Sequence, residues 1–344
     1  MRAGYFEAVR VAYFRDDWPE PQITKPDDVK IHIRKCGICG SEVHAYHGKH
    51  PFRIPPIVSG HEAAGDVVEV GSAVTEFKVG DRVVVEPHYG CGECWYCKHG
   101  LYNVCTSKKV LGAGGWSGAL GEYIVTPEKT VVHLADNLSY EEGALIEPVA
   151  NGMYAVRNVD ITPETTMCII GAGPIGIGDA ICAKLWNPKL MIIADISDFN
   201  LEKAKLMCPE AITVNSRREN LEEKVRELTD GVGVDKTFLA FGDEPTITQA
   251  MAITRRAGQV IQHALMEDGI GFCYRLHQQH ELDFKAFNMY QKKDFELICE
   301  ALADGRMDLS HFVTQRYPIE QFKEAIEMAD KRPEPVLKVM MSFD

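Results

Sequence analysis

The stretch Met167-Cys168-Ile169-Ile170-Gly171-Ala172-Gly173-Pro174-Ile175-Gly176 decides the fold. Its four leading apolar residues read as a short buried strand, and Gly171, Gly173 and Gly176 set a G-x-G-x-x-G turn where that strand gives way to a helical pattern. In that setting the first glycine makes the tight turn, the second admits a pyrophosphate, and the third lets helix and strand pack closely. The helix amides then face the phosphates. With 29 glycines in the chain, such a spacing also arises by chance. The discriminating residue is an acid about 20 positions on, at the end of the next strand. Asp195 fills that place, directly after Ile192-Ile193-Ala194. Its carboxylate would accept from an adenosine ribose and repel a 2′-phosphate, and no Arg follows it immediately, which favours NAD over NADP. Ser197 or Asp198 is left to cap the following helix.

Outward from this turn the alternation continues. Residues 190–194 read as a strand and 199–208 as a helix, followed by 211–214, 221–228, 234–240, 246–255 and 259–263 in the same rhythm. Alternating βα units imply an α/β fold with a Rossmann, doubly wound parallel sheet. Upstream, Val29, Ile31 and Ile33 alternate with Lys30, His32 and Arg34, the period of a strand with one buried face. Further β-branched runs at 66–70 and 82–85, punctuated by Gly71, Gly80 and Pro87, predict a compact β barrel or sandwich. Beyond about Lys285 the chain turns mixed, with helices near 294–303 and 319–329 and a last strand from Pro335. The expected layout is a β-rich catalytic domain over 1–147, a nucleotide domain over 148–285, and a return to the first domain over 286–344.

Composition narrows the function classes. The charge balance of 37 basic against 50 acidic residues gives −13 and a pI near 5.4, which removes the electrostatic basis for binding nucleic acid or anionic membranes. No uncharged apolar run reaches the roughly 18 residues of a membrane helix, since the best stretch, 167–178, ends at Asp179. Arg2, Glu7, Arg10 and Arg15 interrupt the N-terminus before any signal-peptide stretch forms, so the expected compartment is the cytoplasm, where thiols stay reduced.

Eleven cysteines in a reducing compartment point to metal before disulfides. Cys91, Cys94, Cys97 and Cys105 supply four thiolates from one loop, which matches the closed tetrahedral demand of a structural zinc, and Gly90, Gly92 and Gly100 provide the turns for wrapping it. A zinc-ribbon nucleic-acid module is disfavoured by Glu93, the acidic chain and the absence of a local basic helix. A second set is dispersed: Cys39, the His61-Glu62 pair and Glu147, mixed S, N and O donors that suit a catalytic zinc with an open position. Spacing alone does not find it. Taken singly, Glu62 reads as a surface acid, Glu147 before Pro148 as a helix end, and Cys36 competes with Cys39.

Read together, Gly37-Ile38-Cys39-Gly40-Ser41-Glu42-Val43-His44, Gly60-His61-Glu62, the four-Cys loop, Glu147-Pro148 and Gly171-Ala172-Gly173-Pro174-Ile175-Gly176 resemble, in that order, the zinc-containing medium-chain dehydrogenases. Glu at position 147, rather than Cys, is similar to the sorbitol (polyol) and threonine dehydrogenase branch. The resemblance implies a GroES-like β-barrel catalytic domain beside the Rossmann domain, one catalytic and one structural Zn2+, and NAD held by Gly171, Gly173, Pro174, Ile175, Gly176 and Asp195. It makes Cys39 the thiolate ligand, His61 the imidazole ligand, and Glu62 and Glu147 the carboxylate ligands, direct, exchanging or through water. Ser41 and His44 match the family's proton relay from the alcohol through the cofactor ribose to the imidazole. A homodimer or homotetramer is implied too.

Two departures stand out. Glu42 occupies a position where the family commonly has Asp, and Phe287-Asn288-Met289-Tyr290 lies where sorbitol dehydrogenases usually carry a substrate-facing Arg, which argues against sorbitol itself. His50, Phe52, Arg53 and Trp116 are candidate pocket residues. The expected reaction is oxidation of a secondary alcohol of a polyol, cyclitol or sugar to the ketone, because Glu62 and Glu147 make the metal site harder and more hydrophilic than two thiolates would. The alternatives are a β-hydroxy amino acid such as threonine, with Arg53 as the nearby cation, a zinc-free reductase on the same fold, or a non-catalytic zinc and nucleotide-binding protein.

Overall fold

In the computed structural model, which describes residues 1–266 and 269–344, the chain divides into two units. One comprises Met1–Glu147, Gln291–Gly305 and Phe312–Asp344, the other Pro148–Tyr290 and Arg306–His311.

In the second unit the strand Thr166–Ile170 pairs in parallel with Leu190–Asp195 on one side and Val234–Leu239 on the other. Ile212–Asn215 flanks Leu190–Asp195, while Thr254–Gln262 and then Asp283–Ala286 extend the sheet in the other direction, all parallel. Met167, Cys168, Ile169, Ile192 and Ile193 are fully buried, the continuous apolar reading expected of strands covered on both faces. The order reverses between Thr166–Ile170 and Val234–Leu239, and such a switch point opens a crevice at the carboxyl ends of the strands. The helix expected over 246–255 instead spans Glu244–Ile253. Asp243 starts it by accepting from the Thr246 amide at 2.9 Å, with Pro245 in the first turn. Thr254 and Arg255 belong to the next strand, Thr254–Gln262, where a register shift against Val234–Leu239 and a left-handed Ala257 (φ 53°) absorb the early start.

The first unit is built on the strand Asp28–Ile38, which pairs with Glu62–Val70, with Tyr123–Pro127 along its first half and with Val339–Ser342 along its second. Arg82–Val85, Val131–His133 and Gln315–Pro318 complete the sheet over a core that includes Phe6, Ile31, Ile33, Val67, Leu120 and Phe322. The one-sided burial expected for Asp28–Ile38 is corrected: Lys30 is buried as well as Val29 and Ile31. Its ammonium reaches Glu20 at 2.5 Å and lies 5.5 Å from the Tyr123 ring centre, while His32 stacks on Tyr123. A loop carboxylate and an aromatic thus cover the polar face.

A helix over Tyr140–Arg157 carries Glu147 and runs straight through Pro148, so Glu147 does not mark a helix end. Proline costs a helix interior about 3 kcal/mol. Here Ala144, Leu145, Ile146, Val149 and Ala150 are all buried to 1% exposure or less, and their packing outweighs that cost. Among the described residues no helix is long and apolar enough to cross a membrane.

Candidate metal and cofactor sites

The four-Cys loop is held by local geometry. Gly92 (φ 80°) and Gly100 (φ 74°) adopt the left-handed backbone that glycine tolerates best, the short helix Trp95–Lys98 starts directly after Cys94, and the turn Tyr102–Val104 delivers Cys105. All four sulfurs lie within 4.8 Å of one another, with Cys94 to Cys97 at 3.5 Å, Cys94 to Cys105 at 3.7 Å and Cys91 to Cys97 at 3.9 Å. A tetrahedron with zinc–sulfur arms of about 2.3 Å has edges of about 3.8 Å, so the donor set fits that ion. The amides of Cys94 and Glu93 draw the Cys91 thiol down to about 6, while desolvation pushes Cys97 up to about 12.

The dispersed set gathers around His61. Cys39 sits at the N-terminal end of the helix Gly40–Tyr46, and His61 and Glu62 lie where the strand Glu62–Val70 begins. The His61 Nε2 atom is 4.0 Å from Glu147 Oε1, and donor atoms of His61, Glu62 and Glu147 share one 4.8 Å cluster, while Cys39 joins His61 and Glu42 in another. Sequence reasoning left open how Glu42 would serve. Its Oε1 accepts from Ser59 Oγ (2.8 Å) and the Gly60 amide (3.3 Å) and lies 3.1 Å from His61 Nδ1, while Oε2 accepts from the Cys39 amide (3.1 Å) and Ser41 Oγ (3.3 Å). Burial alone would raise the Glu42 carboxyl, but His61 and Arg53 outweigh it and hold the group well below the ordinary carboxylate range. The carboxylate therefore receives Nδ1–H and leaves Nε2 as the ligand atom, the usual way an outer carboxylate orients a metal-binding imidazole.

Lys338 is the residue the sequence reading missed. It is 4% exposed, and its ammonium lies 2.6 Å from Glu62 Oε1. Burial would lower this lysine, yet Glu62, Cys39 and Glu147 together raise it. A lone Lys inside the apolar run Val336-Leu337-Lys338-Val339 was the signal that could have found it. Glu62 Oε2 has no partner among the described residues, and a Cβ on the facing Gly37 would lie 1.9 Å from it. A side chain at 37 would have to displace the Glu62 carboxylate. The donor set of thiol, imidazole and carboxylates suits zinc.

Ser41 and His44 lie three residues apart on the helix Gly40–Tyr46, with His44 exposed. Phe52 and Trp116, with Trp18, Ile54, Pro56 and Gly114, line a cavity of about 410 Å³. His50 Nδ1 accepts from the amides of Phe52 (3.4 Å) and Arg53 (3.1 Å). Arg53 is only 4% exposed, donates to Leu111 O at 3.2 Å and faces Glu42 at 3.8 Å.

In the other unit, the turn obeys the glycine logic. Gly171 has φ 103°, a Cβ on Gly176 would lie 1.8 Å from the Gly171 carbonyl, and the space in front of Gly173 is open within 4 Å, as a phosphate cradle demands. Gly173 caps the helix Pro174–Lys184. Asp195, at the end of Leu190–Asp195, accepts from the Ala172 amide (2.6 Å) and the Ser197 amide (2.8 Å), and Ser197 caps the next helix, Asp198–Met207. Arg218 pairs with Asp198 at the start of that helix.

A GroES-like β unit with two metal-ready clusters and a Rossmann unit define a zinc-binding dehydrogenase. Residues 25–136 match the family described as "Alcohol dehydrogenase GroES-like domain", and 174–304 that described as "Zinc-binding dehydrogenase". The chain is 36% identical to sorbitol dehydrogenase of Bacillus subtilis, covering 94% of this chain and 92% of that one, and 33% identical to L-idonate 5-dehydrogenase of Vitis vinifera (92% and 88%). An Escherichia coli oxidoreductase/dehydrogenase of unknown specificity superposes with a TM-score of 0.93 at 28% identity, over 99% of this chain and 98% of that one. The chain belongs to the zinc-containing medium-chain dehydrogenases, within the sorbitol-like branch.

Proposed function

We propose that this enzyme oxidises a secondary alcohol of a polyol, cyclitol or sugar to the ketone, with NAD as hydride acceptor. The observation that carries the reading is the carboxylate-rich cluster of His61, Glu62 and Glu147 beside Cys39, its imidazole fixed by Glu42. Zinc bound by Cys39, His61 and Glu62 or Glu147 would supply Lewis acidity that makes the substrate hydroxyl a stronger acid, and NAD would take the hydride. Ser41 Oγ would accept the hydroxyl proton as it gives up its own, and His44, on the same helix and exposed, would pass a proton on to water. Glu42 keeps His61 oriented throughout. Cys91, Cys94, Cys97 and Cys105 hold the second, structural zinc. Asp195 supports NAD over NADP because its carboxylate faces the turn and would repel a 2′-phosphate. The enzyme works as a homo-oligomer in the cytoplasm.

The threonine reading loses its cation, since Arg53 is buried against Glu42 and Leu111. Steady-state rates with NAD and NADP over a panel of polyols, cyclitols, sugars, threonine and ethanol test the proposal. A polyol, cyclitol or sugar with NAD should give the highest kcat/KM. A higher value for threonine or ethanol, or for NADP as cofactor, rejects it.

A further inference from the structure

The helix Pro174–Lys184 is apolar and wholly buried from Gly176 to Ala183, with one exception in kind: Asp179, 0% exposed, stands among Ile177, Ala180 and Ile181. Its Oδ1 lies 2.8 Å from His263 Nδ1, and the His263 side chain is itself only 3% exposed. Asp179 Oδ2 and His263 Nε2 are both buried and have no partner among the described residues. A buried ion pair of this kind adds little to stability, because similar-sized apolar side chains usually pack as well or better. Half-satisfied, it is a poor structural choice and needs another reason.

Its location supplies one. His263 directly follows the strand Thr254–Gln262, at the carboxyl edge of the sheet, and its amide donates to Leu239 O at 3.0 Å. The residue after Leu239, Ala240, donates its amide to Ile170 O, and its Cβ lies 3.0 Å from where a Cβ on Gly176 would stand. The pair is therefore linked by adjacent contacts to the glycine turn, and Asp179 lies four residues, about one helical turn, after Ile175 on the same helix face. A dinucleotide binds in the crevice at this edge.

We propose that the Asp179–His263 pair belongs to the cofactor site, with His263 Nε2 bonding the carboxamide of the nicotinamide and Asp179 acting as the positioning residue that fixes the ring. A carboxamide offers both a donor and an acceptor, so it meets Nε2 whether or not that nitrogen carries a proton. Burial lowers the His263 imidazole, and the charge and hydrogen bond of Asp179 more than reverse this, which favours the protonated ring. This proposal rests on the reading of Gly171–Gly176 as a dinucleotide site.

The test is the binary complex with NADH, titrated by its fluorescence alongside thermal unfolding of the free protein, so that no catalytic turnover enters. The double exchange Asp179→Leu/His263→Leu removes the pair without leaving a lone buried charge. It should melt at or above the wild-type temperature and bind NADH about tenfold more weakly, the loss of one hydrogen bond of ordinary strength. The single exchange His263→Gln, whose amide can still donate to Asp179 but which has no ring Nε2, should weaken NADH binding to the same extent and serves if the double variant does not fold. An NADH Kd within fivefold of wild type in the folded variant overturns the proposal. Failure of the wild type to bind NADH would instead reject the dinucleotide site beneath it.

Discussion

At the scale of single residues, the proposed catalytic-metal cluster is governed by side chains that are not themselves expected ligands. Glu42 reaches His61 Nδ1 and also accepts from Ser59, Gly60 and Cys39. Lys338 acts on the other side by compensating Glu62, whose side chain is fully buried. Removing one partner of a buried pair typically costs about 3–5 kcal/mol, because the other charge is left uncompensated. Lys338→Met should therefore lower stability by about that much, and adding Glu62→Gln should recover a large part of it. Urea unfolding of the wild type, the single and the double variant measures this. Equal midpoints for wild type and Lys338→Met would show that Glu62 finds its compensation elsewhere.

At the scale of elements, legibility followed how local the determining interactions are. The glycine turn and the four-Cys loop were readable because each is nearly complete within a short stretch of chain: every sulfur of Cys91, Cys94, Cys97 and Cys105 comes from one loop, a Cβ on Gly176 would strike the Gly171 carbonyl, and Asp195 binds the Ala172 amide between them. The dispersed cluster was not readable from spacing, since Cys39, His61 and Glu147 come from a helix start, a strand start and a helix interior, and it entered only through family resemblance. The helix through Pro148 and the buried Lys30 misled local rules because burial, a tertiary property, overrode them. Asp179 and His263 are 84 residues apart, so nothing in the chain's order joins them. The same locality gives the four-Cys loop a separable role. A closed thiolate site contributes folding energy directly, so Cys97→Ser should drop the metal content from two zinc ions per chain to one and lower the melting temperature by on the order of 5–10 °C. Cys39→Ser should also hold one zinc, yet melt close to wild type and lose activity. Elemental analysis and calorimetry decide the matter, and a Cys97→Ser protein that melts with the wild type would remove the structural role.

At the scale of the whole molecule, the question is what covers the surface that one chain leaves open. The strand Asp283–Ala286 has a strand neighbour on one side only among the described residues, so its other side presents backbone groups of the kind that pair with a further strand. Near it in sequence, Leu265 is 93% and Tyr274 76% exposed. A second copy is the simplest partner, because a two-fold axis lets the same edge and the same apolar residues serve both subunits. The net charge of −13 works against association at long range, and this opposition is screened by salt, whereas strand pairing and apolar burial are not weakened by it. Association should therefore persist, or tighten, as ionic strength rises. Light scattering at micromolar concentration should give a particle at least twice 38.4 kDa in both low and high salt. A 38.4 kDa particle under both conditions would leave the edge strand and its apolar neighbours to some other partner and reject the homo-oligomer.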